Sequence, residues 1–160
     1  ETDGGPYVFA LAYSPDGKRV AVGGGNPYDH GGRGDVRVHD ADGRLVWQRT
    51  GLPGLVRGLA FRPDGRHLAL VANRRVGRLR RVEVLLLAAR DLLRPGARDA
   101  PVPLARLELG RPRRAATLPA ALRFVPPGRY APRADATLVV ALGGAAAAET
   151  LLRCACAGGW

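Results

Sequence analysis

The amino-acid sequence predicts an all-β chain built from repeated antiparallel meanders, and three observations carry that prediction. The stretch "VFALAYSPDGKRVAV" from Val8 returns without a gap as "VRGLAFRPDGRHLAL" from Val56. Within each copy the apolar residues recur at every second position, as one face of a strand requires. The 22 glycines and 13 prolines supply turns at a density that suits short strands better than helices.

The elements follow in order. "VFALAY" is a first strand with Leu11 and Tyr13 on one face, and Leu59 and Phe61 hold the same places in "VRGLAF". "SPDG" and "RPDG" then turn the chain, because Pro presets φ, Asp bonds back to the backbone and Gly accepts positive φ. "KRVAVGG" and "RHLALVA" return as second strands. "DVRVHD" is a third, with Val36 and Val38 alternating against Arg37 and His39, and "ADG" leads into a fourth, "RLVWQRT". Such a meander cannot bury both its faces alone, so neighbouring copies are expected to stack.

Later in the chain the reading divides. "LRRVEVLLLAARDLLR", Leu79 to Arg94, fits a third strand or an amphipathic helix, and the repeat favours a strand over Arg80 to Leu87. "AAAAETLLRCACA" poses the same choice with the same preference. A looser third copy starts at "ALRFVPPG", Ala121 to Gly128, and resumes with "TLVVALGG". The 48 residues from Asp16 to Asp64 match the roughly 40–50-residue period of propeller blades. The expected division of the single domain 1–160 is Pro6–Thr50, Gly51–Gly110 and Arg111–Trp160, the last without a recognisable fourth strand.

Over Val8 to Ala72 the chain resembles the WD40-repeat family of β-propellers. The marks are the "SPDG" hairpin, the "GDVRVHD" strand ending in Asp40, and Gly51, with four residues between it and "VRGLAF". It departs from that pattern at His39 in place of Trp, at Leu52 in place of His, and at Arg33 in place of Asp. The buried hydrogen-bond network those family residues form is therefore not expected. The resemblance implies a partial β-propeller of about three four-stranded antiparallel blades, open unless further sequence or another chain completes it. It also implies a non-catalytic scaffold for protein interaction, with a second copy as one way to complete the ring.

The net charge of +11 is concentrated. Arg62 to Arg133 holds 17 arginines against 5 acidic residues, and the remainder is close to neutral. An arginine-rich surface binds phosphate backbones or acidic proteins, but no aromatic residues interleave with these arginines as stacking platforms would require. Cys154 and Cys156 lack the second pair of ligands a zinc site needs. Asp29, His30 and Asp35 sit among glycines, a poor setting for a cation, and "RGD", Arg33 to Asp35, reads as a turn entering a strand. No catalytic residues, metal or cofactor are expected.

Two surfaces stand out as partner-binding candidates. One is the loop over Asn26 to Arg33, with Asn26, Tyr28, Asp29, His30 and Arg33; the other is the group Arg74, Arg75, Arg78, Arg80 and Arg81. The expected partner is a protein or another domain of a longer chain. The alternatives are an accessory domain of a larger hydrolase, or a nucleic-acid-binding surface. No run is long and apolar enough for a membrane span, and the cytoplasm is the default compartment. The start, which has no Met and no signal-like segment, reads as that of a piece or a processed form.

Overall fold

The computed structural model describes residues 7–28, 32–76, 79–88, 105–114, 120–125, 137–142 and 148–152, and all regular structure among them is β. Eleven strands form three antiparallel sheets. The first contains β1 (Tyr7–Tyr13), β2 (Arg19–Asn26), β3 (Arg33–Asp40) and β4 (Leu45–Pro53). The second contains β5 (Leu55–Phe61), β6 (His67–Val76), β7 (Leu79–Ala88) and β8 (Ala105–Arg114). The third contains β9 (Ala120–Val125), β10 (Thr137–Leu142) and β11 (Ala148–Leu152). Each sheet is a meander in chain order. The sheets meet mainly through their first strands, with β1 against β5 and β5 against β9.

Both divided readings resolve as strands, since Leu79–Ala88 and Ala148–Leu152 pair antiparallel with their neighbours. Residues 89–94 and 153–160, including Cys154 and Cys156, lie outside the described residues. Two strands outrun their expected ends, β4 reaching Pro53 and β8 reaching Arg114. The "RGD" reading needs a correction: Arg33, Gly34 and Asp35 all lie within β3, so the motif itself holds no turn. The cause is the pairing of Asn26 with Arg33, which carries the ladder to the very start of the motif.

The hairpins form as their residues dictate. The Gly17 N–H donates to the Ser14 carbonyl at 2.9 Å, and Gly17 takes φ +68°. The Lys18 N–H and the Ser14 hydroxyl both donate to Asp16 Oδ1. In the second copy the Gly65 N–H donates to the Arg62 carbonyl at 2.8 Å, with φ +69°. There Arg62 replaces the serine and pairs with Asp64 through Nε–Oδ2 at 3.3 Å. A hydroxyl lock in one copy has become an ion pair in the other.

The core lies between the first and second sheets. Ala21, Val36, Val38, Trp47 and Leu52 meet Val56, Leu59, Leu68, Leu70, Leu85 and Leu87. Cross-strand register explains why these side chains share a face: Ala21 opposes Val38 and Val38 opposes Trp47, while Leu70 opposes both Leu59 and Leu85. Close approach depends on Gly23, where a Cβ would stand 2.6 Å from Val56 Cγ1 and 3.0 Å from Leu59 Cδ1. The other face of the second sheet is buried as well, at Ala60, Ala69, Val71 and Val84.

Two outcomes follow from this packing. Gly23→Val forces two branched side chains into one space, so a loss of about 1–3 kcal/mol is expected in urea denaturation. Asp16 titrates below the ordinary aspartate value because the Ser14 hydroxyl, and then the Lys18 N–H, favour its charged form. A lowered folded pKa contributes stability above the ordinary value and loses it as pH falls through the lowered one. The denaturation midpoint of the wild type is therefore expected to exceed that of Asp16→Asn near neutrality, and the gap to close in acid.

Candidate functional site

The repeat extends to the register itself. Val8 pairs with Gly24 and Ala10 with Gly23, skipping Phe9; Val56 pairs with Ala72 and Gly58 with Val71, skipping Arg57. Each first strand thus carries a one-residue β-bulge at the same place, and a bulge re-aims the side chain it leaves unpaired. The outcome is a contact between the copies, with the Arg57 guanidinium 3.8 Å from the centre of the Phe9 ring. Tyr7 stacks on Phe9 at 6.2 Å and 13°, and Tyr28 meets Tyr7 edge-on at 6.0 Å. Tyr28, Tyr7, Phe9 and Arg57 therefore form one aromatic–cationic row from the first sheet to the second.

Tyr28 is the candidate from the sequence that this row includes. Its N–H donates to Asn26 Oδ1 at 2.9 Å, an Asx turn that leaves the ring exposed. Asn26 and Arg33 are paired strand residues, so the connecting segment is shorter than the sequence suggested. Asp29 and His30 lie outside the described residues, as does Arg78. Arg74 opposes Arg81 and Arg75 opposes Arg80, at the end of β6 and the start of β7. One member of each candidate group, Arg33 and Arg74, comes close to Gly54. Gly54, which links the sheets, bridges to Arg33, and a Cβ there would stand 2.7 Å from the Arg74 amide nitrogen.

Tyr7, Phe9 and Arg57 escaped the sequence reading because a bulge breaks the two-residue alternation that identifies a face. A signal was present: Val8 and Leu11 are three apart rather than two, and so are Val56 and Leu59. Both described histidines serve hairpins, His39 Nδ1 donating to the Gly43 carbonyl at 3.2 Å and His67 lying 4.0 Å from Asp64. No group of three His, Cys, Asp or Glu side chains suited to a metal ion occurs among the described residues. No helix there is long and apolar enough to cross a membrane.

The second feature is an uncovered face. Register places Leu11, Val22, Arg37 and Gln48 in one cross-strand row of the first sheet, and Tyr13, Val20 and His39 in the next. On this face Val8, Leu11 and Tyr13 are 63%, 55% and 68% exposed. The matching residues of the second sheet, Val56 and Leu59, are 0% and 6% exposed, because the first sheet covers them. Asp35 and Glu83 also match in position; Asp35 is half-buried, whereas Glu83 is buried. Sequence alone leaves this contrast hidden, since both copies read alike and only the neighbour differs.

No family model matches the chain, and no curated protein matches it either.

The Phe9–Arg57 contact has a measurable coupling. A double-mutant cycle with Phe9→Ala and Arg57→Ala is expected to give about 0.5–2 kcal/mol in denaturant unfolding.

Proposed function

We propose that the chain is a partial, WD40-like propeller segment that acts as a non-catalytic scaffold, binding protein through the open face of its first sheet. One observation carries this reading. The face that holds Val8, Leu11 and Tyr13 repeats, residue for residue and with the same bulge, the face by which the second sheet receives the first. In the second sheet Val56 and Leu59 are buried and Phe61 is half-buried; in the first, Val8, Leu11 and Tyr13 stand in water. Covering a large apolar side chain contributes roughly 1.5–3 kcal/mol, and contiguous apolar surface of this kind marks a site of association. The occupant this face fits is another antiparallel meander, contributed by a partner protein, a further segment of a longer chain or a second copy.

The sheets' contact through β1, β5 and β9 supports the propeller part of the reading, because blades arranged about an axis meet at their innermost strands. The Tyr28–Tyr7–Phe9–Arg57 row offers a partner a second contact of different character. Aromatic rings and arginine are enriched where proteins bind each other.

A test uses sedimentation velocity on the purified chain. Leu11→Arg combined with Tyr13→Arg is expected to abolish concentration-dependent association while leaving the thermal midpoint within a few degrees of wild type, since neither side chain is in the core. Association that persists unchanged in this variant would remove the open face from the reading.

A further inference from the structure

Three hairpin turns among the described residues share one plan. Ser14-Pro15-Asp16-Gly17, Asp40-Ala41-Asp42-Gly43 and Arg62-Pro63-Asp64-Gly65 each set an Asp before a glycine of positive φ, +68°, +78° and +69°. In each, the glycine N–H donates to the carbonyl of the first turn residue, at 2.9, 3.1 and 2.8 Å. The carboxylates are where the turns part. The Lys18 N–H donates to Asp16 Oδ1 at 3.1 Å and the Arg66 N–H to Asp64 Oδ1 at 2.9 Å. The matching Arg44 N–H donates instead to Asp40 Oδ1 at 2.8 Å, which also accepts from the Asp42 N–H at 3.0 Å. Asp40, standing where the other turns have Ser14 and Arg62, has taken over the carboxylate's place in the turn.

Asp42 is left exposed, and among the described residues no hydrogen bond or ion pair holds its carboxylate. The other two are held twice. Asp16 also accepts from the Ser14 hydroxyl, and Asp64 pairs with Arg62 at 3.3 Å.

An Asp–Gly bond rearranges without an enzyme when its carboxyl is at liberty. The glycine amide nitrogen attacks the aspartyl Cγ, and the new N–Cγ bond closes a five-membered imide. One carboxyl oxygen leaves as water, taking the carboxyl proton and the amide proton. Water then adds to the aspartyl α-carbonyl carbon, and the bond from that carbon to the nitrogen breaks. The chain now runs through Cγ and the α-carboxylate hangs as the side group, with no atom or electron gained or lost. Glycine favours the attack because no Cβ crowds its nitrogen. The carboxyl must swing onto that nitrogen, and it must be neutral for its oxygen to leave as water. Donors that fix a carboxylate in its charged form oppose both steps. Asp16 shows the second effect, since the Ser14 hydroxyl and the Lys18 N–H hold it below the ordinary aspartate value. Backbone conformation does not separate the three turns, so the surroundings of the carboxylate decide.

We infer that Asp42–Gly43 is a modification site, at which the chain rearranges spontaneously to isoaspartate, and that the partners of Asp16 and Asp64 protect the matching bonds. The enzyme class that acts on this product is an isoaspartyl methyltransferase, which esterifies the freed α-carboxylate with a methyl group from S-adenosylmethionine. The extra backbone atom falls in the turn between β3 and β4, where the Gly43 N–H meets the Asp40 carbonyl. The inference does not rest on the protein-binding reading.

The experiment ages the whole 160-residue chain at body temperature and near-neutral pH, beside a portion unfolded in guanidinium chloride. Both are sampled until the unfolded portion has rearranged measurably. Isoaspartate is assigned residue by residue from electron-transfer fragments of proteolytic peptides, and methyl transfer from labelled S-adenosylmethionine counts it independently. Asp3–Gly4 lies outside the described residues and is scored separately. In the folded chain Asp42 is expected to rearrange several times faster than Asp16 or Asp64. In the unfolded chain, where every carboxylate loses its partners, the three rates are expected to converge. Equal or faster rearrangement at Asp16 or Asp64 in the folded chain would overturn the site. So would an Asp42 that stays intact while the unfolded portion reacts, or a preference for Asp42 that persists undiminished in denaturant.

Discussion

The contact between Gly23 and Val56 sets the separation of the first two sheets, and most of the described core depends on it. A bare backbone at position 23 lets the branched side chain of β5 enter the surface of the first sheet. With the sheets at that distance, Trp47 and Leu52 reach the leucines of β6 and β7. The transfer of apolar area out of water then does the rest, because alternation has already sorted each strand into two faces. A sheet that is apolar on both faces needs a neighbour on each. The second sheet has both, which is why even Glu83 and Asn73 are buried.

Much of this fold was legible before any coordinates. The two "PDG" hairpins and the third strand through Val36 and Val38 follow from turn chemistry and from a period of two, and the repeat favours a strand over Arg80 to Leu87 where the pattern alone also fits a helix. Strand ends were less legible: β4 runs past Thr50 because ladder pairing with Gly34 holds Leu52 in the sheet. The candidate site was legible only in part. Tyr28 drew attention as an exposed ring in a polar loop, but its partners Tyr7 and Phe9 lie a whole strand away in sequence. The arginines of β6 and β7 were visible as a run; their opposition across the hairpin required register.

The open face of the first sheet is apolar near β1 and grows polar toward Arg37 and Gln48. On the proposed reading, an occupant therefore gains most by removing the β1 side from water, a gain that weakens on cooling and depends little on salt.

The tight passage at Gly24 makes the two copies unequal. A Cβ at that position would run into the Tyr7 carbonyl, whose carbon would lie 2.8 Å away, so β1 follows a path only glycine permits. The matching residue of β6 is Ala72, so the second copy carries a methyl group where the first has bare backbone. Alike in register and bulge, the two hairpins are not interchangeable at this one position.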